Sequence, residues 1–157
     1  MSANPKLRRA ARLAAVQALY QMDVSGDPSQ NVIRQFLNHR FGHAEEANMV
    51  EVDEEFFENI VTGVVKFQDD IDKHIIENLS EKWSLKRLDK TLRALLRCGS
   101  YEVLRRPDIP ALVVIDEYVS VSSEFFAKKE AAFINGALDK IAKNIRAAEF
   151  GVTAGNG

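Results

Sequence analysis

Cysteine is nearly absent from this 157-residue chain: Cys98 stands alone, which excludes a disulfide framework and a thiolate metal cluster. Set among Leu95, Leu96 and Val103, it reads as a small core residue of a protein in a reducing compartment. No apolar run approaches the ~20 residues that span a bilayer. Arg12 interrupts the apolar residues behind the N-terminal positive charges, which argues against an ordinary secretory signal. Glycine patterns of the Walker or dinucleotide kind are missing. Ser120, Ser122 and Ser123 have no GxSxG elbow and no histidine nearby. His39 and His43 have the i, i+4 spacing of a metal pair, but Gly42 is expected to end the helix between them, and no acid or cysteine completes a site. The acidic run Glu45 to Glu58 lacks the alternation of a calcium loop. These absences leave a non-enzymatic, soluble, cytoplasmic protein with no metal and no other cofactor.

Charge is present but unevenly placed. The net charge is only -2, unlike a general nucleic-acid coat, which is basic throughout. Between Arg40 and Lys66 there is no Lys or Arg, while Glu45, Glu46, Glu51, Asp53, Glu54, Glu55 and Glu58 fall there. Lys6, Arg8, Arg9 and Arg12, by contrast, precede the first acid of the chain, Asp23. One basic end and one acidic stretch predict two different faces.

The apolar pattern is helical throughout. Asn4-Pro5 reads as a cap with proline at the first helical position, and Leu7, Ala11, Ala14, Ala15, Ala18, Leu19 and Met22 recur every three to four residues. Asp27-Pro28 repeats the device ahead of Val32, Ile33, Phe36 and Leu37. A long helix is predicted from about Asp53 to about Asn78, then a connector from Ser80 to Leu88 with a short turn from Ser84. Asp89 caps the next helix, and the two prolines of RRPDIP (Arg105 to Pro110) end it. Ala111 to Phe126 is a helix rather than a strand, since no second strand exists to pair with it. The last helix covers about Glu130 to Arg146. The chain is therefore all-α, with six to seven helices in one domain over 1-150 and a disordered tail over 151-157.

At about 100° per residue, Arg8, Arg9 and Arg12 fall on one sector of the first helix, beside its positive dipole end, and Val16 and Tyr20 continue that sector. No acid lies three or four residues away to relieve their mutual repulsion. Such a cluster suits an anionic partner such as phosphate, which guanidinium grips bidentately. Charge alone leaves open a nucleic acid, a solvated face, or pairing with the acidic run elsewhere in the fold, and does not separate RNA from DNA. All three arginines locked in internal ion pairs away from solvent would contradict the anionic-partner reading. Val16 and Tyr20 also allow a self-association face, as in a homodimer, that hides the arginines.

A second oddity is AFINGALDK (Ala132 to Lys140). Asn-Gly is normally a turn, yet the apolar period runs through it, so Gly136 sits inside a helix at a cost of about 1 kcal/mol relative to alanine. Close approach of another helix or of a ligand is the physical reason to keep it. Asn135 offers an amide to a backbone group or a base edge. Phe133 is either core or a stacking platform for an unpaired base.

Together, RRAARLAAVQALYQ, LDKTLRALLRCGSYEVLRR-x-DIP, VVIDEYVSVS and FINGALDKIA, in that order and spacing, resemble the NusB family of bacterial transcription antitermination factors. The resemblance implies an all-α fold of two packed helical subdomains, about 1-80 and 81-150. It implies binding of boxA in nascent ribosomal RNA leader transcripts as single-stranded RNA, together with the ribosomal protein NusE, in an antitermination complex on RNA polymerase. Arg8, Arg9 and Arg12 match the basic positions of the family's RNA-binding motif, and Lys6 extends the patch. Phe133 matches an aromatic implied to lie against RNA bases, and Tyr20 a tyrosine near the NusE contact. Some members carry an acid where this chain has Leu92, on the NusE face, or Lys129, near the RNA. Related sequences also form the N-terminal domain of RNA cytosine methyltransferases. The lack of a cofactor-binding glycine motif, and of any expected catalytic domain after the helices, makes that the weaker reading, as is a helical protein–protein scaffold that never touches RNA.

Overall fold

The computed structural model describes residues 4–41, 51–80 and 82–151. Among them are seven α-helices and no β-strand, as the apolar period requires: α1 (Pro5–Ser25), α2 (Ser29–His39), α3 (Glu54–Lys66), α4 (Gln68–Asn78), α5 (Lys90–Arg105), α6 (Ala111–Ser122) and α7 (Lys128–Ile145). Two 3₁₀ turns, Leu85–Arg87 and Ala147–Phe150, complete the order. No helix among the described residues is long and apolar enough to cross a membrane.

Local chemistry sets most boundaries. The Asn4 side chain accepts from the backbone N–H groups of Lys6 and Leu7 at 2.9 and 3.3 Å, with Pro5 opening α1. Gly26 closes the helix in the left-handed conformation, φ 76°, where a β-carbon would be strained. Asp53 caps α3 and Asp89 caps α5 through their carboxylates, each worth about 1 kcal/mol. The expected cap at Asp27 is not formed. Pro28 itself occupies the cap position of α2, and proline has no side-chain acceptor to offer; the Asp27 N–H donates to the Ser25 hydroxyl. Helix α2 ends at His39; Gly42, His43 and the start of the acidic run, with Glu45 and Glu46, lie outside the described residues, as does the tail from residue 152.

The single helix expected from Asp53 to Asn78 is two. Phe67 leaves helical geometry at φ -108°, ψ 19°, and the Arg105 guanidinium covers its ring at 3.9 Å. The break redirects the chain: α3 packs with α1 and α2, whereas α4 packs on α5 and α7. The stretch expected to run unbroken thus supplies one segment beside α1 and α2 and another beside α7, both in contact with α5. Helix α5 is the shared element, touching α1, α3, α4, α6 and α7. Its glycine admits a neighbour: a β-carbon on Gly99 would meet the methyls of Leu138 at 2.8 and 2.9 Å. Arg146 ties the end of α7 to the α5–α6 turn by donating to the carbonyls of Glu102, Val103, Arg106 and Ile109.

Candidate nucleic-acid interface

The four cations of α1 meet different fates, set by which side of the helix faces α5 and α6. Arg12 is 2% exposed. Its Nε and Nη2 donate to Glu102 Oε2 and Oε1, both at 2.9 Å, and its Nη1 donates to Glu117 Oε1 at 3.3 Å. The Tyr118 hydroxyl donates to Glu102 Oε2 as well. Burial alone would lower the Arg12 pKa, but the hydrogen bond and charge of Glu102, with Tyr118 and Glu117 behind it, hold it above the ordinary value. Arg12 is thus a charged member of the core. The expectation that it stands unneutralised among solvent-facing guanidiniums is corrected: α5 and α6 bring two carboxylates, distant in sequence, onto its position.

Arg8 lies on one flank of α1. Its guanidinium sits 4.6 Å from the centre of the Phe56 ring, with Arg12 and Arg106 on the same ring at 5.0 and 5.2 Å. Asp53 stands 3.9 Å from its Nε, and Asp108 grips Arg106 through two hydrogen bonds of 3.0 and 2.9 Å. Arg8, Asp53, Glu55, Phe56, Asn59 and Arg106 line a cleft of about 270 Å³ in which the charges nearly balance.

The opposite flank is open. Lys6 is exposed, and the Arg9 side chain is 60% exposed although it bonds Glu117 at 2.8 Å. Together with Pro5, Ala10 and Leu13 they form one wall of a groove of about 420 Å³, whose other wall is Ser120, Val121, Ser123 and Glu124 at the end of α6. A cation that is ion-paired on one edge and wet on the other can still offer N–H groups to a phosphate.

Further along α1 a second groove, about 440 Å³, is lined by Val16, Gln17, Tyr20, Gln21, Val24 and Phe125 among others. Tyr20 is 44% and Val24 56% exposed. Val16, expected to share a free face with Tyr20, is fully buried. Leu92 is partly buried at the start of α5 and packs against the core.

Phe133 and Asn135 do not converge. They lie roughly 160° apart around α7, flanking the buried stripe of Ile134, Ala137, Leu138, Ile141 and Ala142. Asn135 is exposed. Phe133 is partly buried against the core, and its ring centre is 5.0 Å from that of Trp83. Among the described residues nothing lies within 4 Å of a β-carbon added at Gly136; of the two reasons for a bare backbone there, close approach of another helix is not met among them.

Glu102, Glu117 and Trp83 were missed by sequence reasoning. Glu102 did leave a signal, since it follows Leu95 by seven residues and Cys98 by four, on the apolar stripe of α5 where an acid needs a partner.

A family model described as the NusB family matches residues 9–143. The transcription antitermination protein NusB of Maricaulis maris (strain MCS10) is 53% identical over 146 residues, 92% of this chain and 91% of that protein. The same-named protein of Caulobacter vibrioides is 50% identical over 140 residues, 88% of this chain and 94% of that one. Among solved structures, T. maritima NusB superposes with a TM-score of 0.76 at 29% identity, over 97% of this chain and 100% of that one. A chain from the crystal structure of antitermination factors NusB and NusE in complex with dsRNA gives 0.75 at 25% identity, over 90% of this chain and 99% of that one. Sequence and fold agree along nearly the whole length, and the chain belongs to the NusB family.

Proposed function

We propose that this protein is a non-enzymatic RNA-binding transcription antitermination factor, which binds boxA of nascent ribosomal RNA leader transcripts as a single strand, together with NusE, in a complex on RNA polymerase. Lys6 and Arg9 hold phosphates at the groove between α1 and the end of α6, which gives affinity but little sequence information. Phe133, and Asn135 from the other side of α7, read unpaired bases. Tyr20 and the apolar groove beside it, with Leu92 nearby, receive NusE. Family membership supports this reading, as does the likeness to a NusB chain solved with NusE and RNA. The observation that carries it is the 60% exposure of the Arg9 side chain beside exposed Lys6. Arg8 contributes from the balanced flank, and Arg12 acts by holding α1 in place.

A fluorescence anisotropy titration tests it, with labelled boxA-like single-stranded RNA, its double-stranded form and a scrambled strand, each with and without NusE. Tightest binding of the single boxA strand, strengthened by NusE, is expected. Binding of NusE without any RNA affinity identifies a protein–protein scaffold instead. A light-scattering mass that doubles in the free protein and falls on adding RNA identifies a homodimer that covers the same face.

A further inference from the structure

The α7 face around Phe133 holds more than one aromatic ring. Trp83, on the connector before α5, is 48% exposed, and its indole meets the Phe133 ring at 5.0 Å and a 50° tilt. The two rings already touch, so a flat ligand rests on the outer indole face rather than between them. Lys129, Phe133, Gly136 and Lys140 fall within roughly 60° of one another around α7, and both lysines are exposed. Gly136 keeps open space above its backbone. On the connector, Lys82, Lys86 and Arg87 are exposed, all within four residues of Trp83 in the chain. Exposed aromatic surface framed by cations from two elements is the composition that holds an unpaired nucleotide strand, with bases on rings and phosphates on lysines.

We propose that Trp83 is a second base-stacking residue, and that Trp83, Phe133 and the bare backbone of Gly136 form a nucleotide seat whose phosphates are held by Lys129 and Lys140. This rests on the RNA-binding reading above and extends the strand's footprint from the α1 groove and the Phe133 ring onto the connector. The seat takes a nucleobase of either ring size, because the indole offers a face and no fixed hydrogen-bond pattern. A methyl at position 136 would fill the space that a ribose or base edge occupies.

Trp83 is the one tryptophan of the chain, so its emission reports on this seat alone. Full-length protein is titrated with boxA-like single-stranded RNA while anisotropy of the labelled strand and indole emission are followed together. Quenching that saturates with the anisotropy change is expected, and a strand made abasic over its length should bind without quenching. Trp83→Leu should weaken RNA binding about tenfold, as removal of one stacked base does, with an unchanged circular dichroism spectrum. Trp83→Phe should recover most of the affinity, and Gly136→Ala should weaken binding several-fold without loss of fold. RNA binding that Arg9→Ala weakens, but that neither quenches Trp83 nor responds to Trp83→Leu, overturns the seat and leaves the RNA-binding reading standing. Absence of RNA binding overturns both, and quenching by NusE alone assigns the indole to a protein contact instead.

Discussion

Arg12 and Glu102 face each other as a planar fork on a carboxylate, joined by two hydrogen bonds of 2.9 Å, with side-chain exposures of 2% and 0%. Glu117 and the Tyr118 hydroxyl complete the set. The group joins α1 to α5 and α6, and so fixes the direction in which Lys6 and Arg9 leave the surface.

Removing one member of such a buried pair strands the other charge. Arg12→Ala is therefore expected to destabilise the fold by about 3–5 kcal/mol, read as a fall in denaturant midpoint. Arg9→Ala, at a mostly exposed position, should shift stability by under ~1 kcal/mol. Replacing all three arginines at once would mix this loss of stability with the loss of RNA-binding groups.

Salt dependence separates the two roles. Removing one phosphate-binding cation should make the slope of log K against log salt shallower by about 0.7. Arg9→Ala and Lys6→Ala should each do so. Arg12→Ala, measured where it is still folded, should leave the slope unchanged.

The helical glycines should respond in opposite directions. At Gly136 an alanine methyl meets nothing within 4 Å, so the free protein should gain about 1 kcal/mol. At Gly99 the methyl runs into Leu138, and at Gly63 into Tyr101 ring carbons at 2.2 and 2.4 Å. Both changes should cost about 1–3 kcal/mol, Gly63→Ala the more. Thermal melts of the three variants check the ordering.

Alkaline pH should loosen the core. Burial, reinforced by the charge of Glu102, raises the Cys98 thiol well above its ordinary 9.0 and the Tyr118 phenol well above its ordinary 10.0. In the unfolded chain both ionise at ordinary values while in the folded protein they stay protonated. Their contribution is therefore intact below those values and declines as pH rises through them. Urea melts across that range should show falling stability, with a shallower fall in Cys98→Ala.

The helices were legible because their signals are local. Asn4, Asp53 and Asp89 sit where a cap must sit, and the apolar period of each helix needs only its own residues. The break at Phe67 left no trace, because Val64 and Ile71 stand seven apart, as in an unbroken helix. The basic cluster on α1 was also visible, since its residues are neighbours in the chain.

By itself the sequence determined an all-helical chain, a lone inert thiol, a basic first helix, and a pattern of motifs that fixes the family. Tertiary structure alone decided which cations are available. Arg12 and Arg9 are three residues apart, yet one is neutralised in the core and the other reaches solvent. The reason is that Glu102, ninety residues away in the chain, arrives from α5 to grip Arg12 inside the core, whereas Glu117 meets Arg9 at the surface and leaves the rest of its side chain wet. The same holds for Trp83 and Phe133, fifty residues apart: burial and charge pairing depend on neighbours in space, which no local spacing records.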